Sequence, residues 1–121
     1  MPELRNKDLR HLWEHFVLNE IHAHIQSRKI FYWRDKRGHE IDFVSSHNKN
    51  PVVIECKWSA SDFNPVNVIA FRRQYPEGEN FVVANDVERS FTRSYYDIVI
   101  RYVNLKGMID AITGLTPSDW T

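Results

Sequence analysis

The sequence predicts an α/β domain with a mixed central sheet flanked by helices. Two observations predict it. The chain opens on a run whose apolar residues recur every three or four positions, as on one face of a helix. Strand-like runs follow, separated by turn residues and interrupted by a second helical segment, the alternation expected of helices packed on a sheet.

The first helix is expected from about Lys7 to Ser27, with Leu9, Leu12, Trp13, Phe16, Val17, Ile21 and Ile25 as one apolar stripe. Ile30–Arg34 is aromatic and β-branched, so it reads as a strand. Arg37-Gly38 supplies a tight turn, since glycine takes positive φ without steric cost. Glu40–Ser45 alternates polar and apolar residues, as a half-buried strand does. His47–Asn50 is turn chemistry. Pro51–Trp58 is a third strand, with proline at the first position, where a missing N–H is tolerated. Asn64-Pro65 reads as a cap and first position of a helix running to about Tyr75, before Pro76. Phe81–Ala84 and Ile98–Val103 are further strands, and Phe91–Tyr96 is either strand or loop. A last short helix is expected over Leu105–Ile112, ended by Gly114 and Pro117.

Composition narrows the function classes. At 121 residues the chain fits one domain, residues 1–121, and 42% apolar residues with 4 Trp, 5 Tyr and 7 Phe can fill its core. Sixteen basic and sixteen acidic side chains cancel, so nucleic acid cannot be held by bulk charge and would need local clusters. A single cysteine, Cys56, excludes an internal disulfide and suits a reducing compartment. The opening MPELRNKDLR carries charges where a signal peptide needs an apolar run. No stretch approaches the roughly 20 apolar residues that span a bilayer. A cytoplasmic chain without a membrane partner is expected.

The informative constellation is Asp42, followed after twelve residues by Glu55-Cys56-Lys57. Side chains alternate along a strand, so Glu55 and Lys57 share one face and Cys56 takes the other, as a core residue. A hairpin turning at His47–Asn50 would bring Asp42 beside Glu55. Val53 shares the Glu55 face, which marks that strand as central and its charges as needing a reason. Carboxylates beside an ammonium suit magnesium, which takes few hard oxygen ligands and keeps waters. Such strand charges are also what a solvated sheet face looks like. On the first helix, Glu20 falls near the middle of the apolar stripe and Glu14 at its border, so either could face the sheet.

Asp42, then Glu55-x-Lys57, behind an acidic helix, resembles the PD-(D/E)XK nuclease superfamily. More closely, Leu12–Ile21, Phe31–Asp35, Gly38–Val44 and Val52–Lys57 resemble the C-terminal domain of unknown function of bacterial and archaeal AAA-type ATPases. The progression WRD, then G-x-EIDFV, then IE-x-K carries the likeness, which covers roughly Leu9–Ala84 with a weaker tail. The resemblance implies a restriction-endonuclease-like three-layer core and hydrolysis of DNA phosphodiesters. It implies Mg2+ or Mn2+ on Asp42 and Glu55, Lys57 as the catalytic lysine, and Glu14 as the helix acid. Family members place a glycine four residues before that glutamate, and here Arg10 stands there. Periodicity favours Glu20 and the motif favours Glu14; Glu14 ranks first and both are carried forward as metal ligands. A catalytically silent interaction module serving an AAA-type ATPase is the alternative. With 4 Gly and no Gly-x-x-x-x-Gly-Lys-Ser/Thr loop, the chain is not expected to hydrolyse ATP itself. Nucleases that cut both strands often pair, so a homodimer is among the expected assemblies, with Trp120 as a candidate cover.

Arg34, Lys36 and Arg37 at the first turn, and Arg72 and Arg73 late in the second helix, are the candidate nucleic-acid contacts, with Tyr32, Trp33, Gln74 and Tyr75 nearby. An ordinary charged surface is the weightier reading of these clusters. His11, His15 and His22 share the polar face of the first helix, where no cysteine or carboxylate completes a metal set, so a solvated face is expected. His39 and His47 lie beside turns and are expected to be exposed.

Overall fold

A computed structural model describes residues 6–24, 29–46 and 50–113. Ile25, the turn around His47, Gly114, Pro117 and Trp120 lie outside the described residues. The order is α1 (Asn6–His24), β1 (Lys29–Arg34), β2 (Glu40–Ser46), β3 (Val52–Lys57), a 3-10 turn (Ala60–Asp62), α2 (Val66–Gln74), β4 (Asn80–Ala84), β5 (Phe91–Tyr95), β6 (Ile98–Val103) and α3 (Leu105–Thr113).

The strands form one mixed sheet in the order β1-β2-β3-β4-β6-β5. The β1–β2 and β2–β3 pairs are antiparallel, β4 lies parallel to both β3 and β6, and β5 closes the far edge antiparallel to β6. All five β4 residues are buried, as a central parallel strand covered on both sides requires. Phe81 and Val83 join Val17, Ile21, Ile54, Cys56 and Met108 on the α1/α3 face. Val82 and Ala84 join Val53, Val68, Phe71 and Tyr102 on the α2 face. The result is the expected α/β architecture of helices on both faces of a mixed sheet.

Local chemistry sets the ends of the elements. Gly38 turns the first hairpin at φ +90, and Asp35 Oδ1 accepts the N–H groups of Arg37 and His39. Asn64 Oδ1 accepts the Val66 N–H at 3.0 Å, and the Pro65 carbonyl accepts the Ile69 N–H. Asn64-Pro65 therefore leads into α2, with the cap at Pro65, one residue later than the expected Asn64. Asn104 Oδ1 caps α3, accepting the Gly107 N–H at 2.7 Å. Phe91–Tyr95 is a strand, with the Phe91 ring stacked on Tyr102 at 4.6 Å between centroids.

Three further expectations are corrected. The α1 stripe is narrower than its apolar residues suggest: Val17 and Ile21 are fully buried, whereas Leu12 and Phe16 remain 55% and 52% exposed. Trp13 is anchored by its indole N–H, which donates to the Val83 carbonyl at 3.3 Å. Secondly, β2 does not alternate throughout, because Ile41 packs on the α2 face and Phe43 on the α1/α3 face. Thirdly, His39 is half-buried, since its Nδ1 lies 2.7 Å from Asp35 Oδ2.

Candidate active site at the parting of two strands

The break in β2 alternation sits at the candidate acid. Phe31 pairs with Val44 and Trp33 with Ile41, so Tyr32 alone faces two residues, Asp42 and Phe43. That is a β-bulge, which bends a strand and re-aims a side chain. On the other side of β2, pairing with β3 runs from Ser45↔Val52 to Phe43↔Ile54 and no further. The next rung would be Asp42 opposite Glu55. Meanwhile β3 stays paired with β4 through Glu55↔Val82 and Lys57↔Ala84. The sheet therefore parts between β2 and β3 at the level of Asp42 and Glu55.

Glu55 is the electrostatic centre of this parting. Its Oε1 is buried and has no hydrogen-bond partner. Burial pushes its pKa up to about 7; Lys57 opposes the rise, while the carboxylates of Asp42, Glu14 and Glu40 add to it. Among the described residues no ion pair or hydrogen bond joins Lys57 to Glu55. Asp42 is exposed; Glu14 and Lys57 are half-buried. Tyr32 Oη donates to Glu40 Oε2 at 2.5 Å, and the neighbouring carboxylate raises the phenol's pKa.

A cavity of about 210 Å³ opens beside Lys57, lined by Arg10, Glu14, Cys56, Lys57, Trp58 and Asp62. Trp58 meets Trp13 edge-on at 6.1 Å. Cys56 itself packs into the α1/α3 core, and burial together with Glu55 and Glu14 raises its thiol pKa. Glu14, of the two helix acids, lines this cavity. Glu20 lies six residues along α1, about 9 Å further, and its Oε2 is 3.7 Å from His24 Nε2. His11, His15 and His22 are exposed on α1. Among the described residues, no three His, Cys, Asp or Glu side chains are grouped closely enough to form a metal cage.

The basic candidates divide. Arg34, Lys36 and Arg37 are exposed and share a shallow concavity of about 610 Å³ with Asp35 and Gln74. Arg73 is exposed, but Arg72 is only 6% exposed and is no surface contact. Its guanidinium donates to Asn80 Oδ1 and to the carbonyls of Tyr75, Glu77, Pro51 and Glu79. All five of its N–H donors are thereby used inside the fold. Glu40 and Asp62 were not among the sequence candidates, while Tyr32 stood there only beside the basic cluster and Arg10 only as a departure from the family's glycine. Tyr32 and Glu40 could have been found as cross-strand neighbours of the first hairpin, whereas Asp62 carries no local signal.

The profile of a family described as Domain of unknown function (DUF4143) matches residues 10–105, which take in every site residue above. Domains of this kind often lie C-terminal to AAA ATPases. No curated protein matches the chain. Among the described residues no helix is long and apolar enough to cross a membrane.

Proposed function

The chain belongs to the DUF4143 family, and from that premise and the parted strands we propose that it is a Mg2+-dependent, nuclease-like domain that hydrolyses DNA phosphodiesters on a restriction-endonuclease-like core. One observation carries the reading. A half-buried glutamate with one buried, unpartnered oxygen stands two residues before a lysine that does not neutralise it, where the sheet opens. An orphaned buried carboxylate oxygen is costly unless something polar or cationic meets it.

The donor set fits magnesium. Mg2+ binds through one or two protein carboxylates and keeps its remaining positions for water and phosphate oxygens, so a preformed cage of three ligands is not required. Glu55 and Asp42 would hold it, with Glu14 as the further acid on the cavity wall. When bound, the ion supplies positive charge to the phosphate and a more acidic water. Lys57 lies on the same strand face as Glu55 and would orient the attacking water or balance charge growing on the phosphate. Water oxygen bonds to phosphorus, one P–O ester bond breaks, and the leaving oxygen takes a proton. Glu55 at a pKa of about 7 is divided between its two protonation states near neutrality, and cation binding would favour the ionised one.

The test is cleavage of plasmid and oligonucleotide DNA with Mg2+ or Mn2+, with an EDTA control. Lys57→Ala is expected to lower the rate by about 10²-fold or more. Cleavage at an unchanged rate in that variant would belong to a contaminant and would sink the reading.

The association of the family with AAA ATPases favours a second reading, a silent module on the same fold that docks to an ATPase. Wild-type protein that cleaves nothing, and whose Trp13 and Trp58 fluorescence ignores Mg2+, would favour it.

A further inference from the structure

Arg10 takes no part in the chemistry above, yet it lines the cavity beside Lys57. It precedes Glu14 by four residues on α1, so both side chains leave the same helix face. The guanidinium does not turn to Glu14. Its Nη2 lies 3.6 Å from Asp62 Oδ2, with the two side chains 56% and 37% exposed. A single contact of that length between exposed groups is weak and readily exchanged.

The two partners differ in freedom. Asp62 belongs to the 3-10 turn that follows β3. That turn is pinned by Asp86, which accepts from Ser59 Oγ at 2.7 Å and from the Ala60 N–H at 2.9 Å. Arg10 sits on a long side chain at the exposed face of α1, so it is the group that moves. Charge supplies the reason to move. Arg10 and Lys57 are the cations lining the cavity, against Glu14 and Asp62 on its wall, and Glu55 is close enough to feel the charges of Lys57 and Glu14. A phosphate approaching those acids needs more positive charge than one lysine offers. The planar guanidinium fork matches phosphate oxygens better than an ammonium does.

We infer that Arg10 is a phosphate-binding side chain of this cavity, latched to Asp62 until a nucleic-acid phosphate displaces the carboxylate. The inference rests on reading the cavity as a phosphodiester site, but it concerns binding and not the cleavage step.

Anisotropy of a labelled short single-stranded DNA oligonucleotide, titrated in Ca2+ without Mg2+ across a salt series, tests it. Arg10→Ala is expected to weaken binding about 10-fold and to flatten the salt dependence by about one phosphate contact. Asp62→Asn, which frees the guanidinium, is expected to tighten binding several-fold. Both changes are on the surface, and urea midpoints matching wild type would show the fold intact. Unchanged affinity and salt slope in Arg10→Ala, no tightening in Asp62→Asn, or no oligonucleotide binding by wild type would each overturn the inference. Wild type that binds as described but never cleaves would leave Arg10 its role and remove the nuclease reading. Cleavage by wild type with Arg10→Ala binding normally would do the reverse.

Discussion

Arg72→Met is expected to cost about 3–5 kcal/mol of stability, read as a fall in the urea midpoint at unchanged slope. The side chain is a clamp between α2 and the starts of β3 and β4. Nε reaches Asn80 Oδ1 at 2.8 Å, Nη1 reaches the carbonyls of Glu77 and Tyr75 at 2.7 and 3.2 Å, and Nη2 reaches those of Glu79 and Pro51 at 2.8 and 2.9 Å. Burial lowers its pKa to about 10, with Glu77 opposing, so the guanidinium stays charged at neutral pH. Methionine fills similar space but leaves four carbonyls and an amide oxygen short of their donor, and each unsatisfied group costs about 1–3 kcal/mol where water cannot reach it. Lysine offers at most three donors from one point and will recover only part of the loss.

Gly78 belongs to the same clamp. A Cβ there would stand 2.1 Å from the Pro51 carbonyl oxygen and 2.8 and 2.9 Å from Arg72 Nη1 and Nη2, on a backbone at φ +134. Gly78→Ala must therefore displace backbone or guanidinium, and a loss of about 2–3 kcal/mol is expected. The two substitutions strike one node, so their double variant will lose less than both single losses together. A midpoint for Gly78→Ala within error of wild type would contradict this account.

Arg72 and Arg73 also show why parts of the molecule were hidden in its sequence. Two adjacent arginines at a helix end look alike as text. Which one turns inward depends on carbonyls of Pro51 and Glu79, which belong to other elements. Strand and helix order was legible because it rests on local rules: apolar periodicity, Gly38 at the hairpin, Asn64-Pro65 at the helix start. The shared face of Glu55 and Lys57 follows from two-residue alternation alone. The bulge at Asp42 was not legible, since Ile41 and Phe43 fit one face of an even strand as text, and a one-residue slip against Tyr32 leaves no local mark. Leu12 and Phe16 misled for a related reason. Apolar spacing names a candidate stripe, but the helix's tilt on the sheet decides which of its members is covered.

Glu55→Gln is expected to stabilise the metal-free domain at alkaline pH while removing its response to magnesium. The buried carboxyl titrates at about 7 in the fold and near about 4.3 in an unfolded chain. Between those values the folded state holds the proton that the unfolded state has released, so stability falls as pH rises. The contribution is complete below about pH 4.3 and is lost as pH passes through 7, amounting to about 2–4 kcal/mol from the size of the shift. Glutamine carries no charge to bury, so urea midpoints of the variant should lose this component of the fall between pH 5 and 8 and exceed those of wild type at pH 8. Magnesium should then act on wild type alone. A cation meeting the orphaned oxygen favours the ionised glutamate, so saturating Mg2+ raises the wild-type midpoint at pH 8 by mass action and leaves Glu55→Gln where it was. Equal magnesium responses in both proteins would place the ion elsewhere, and equal pH profiles would mean that water, not a cation, already satisfies Glu55.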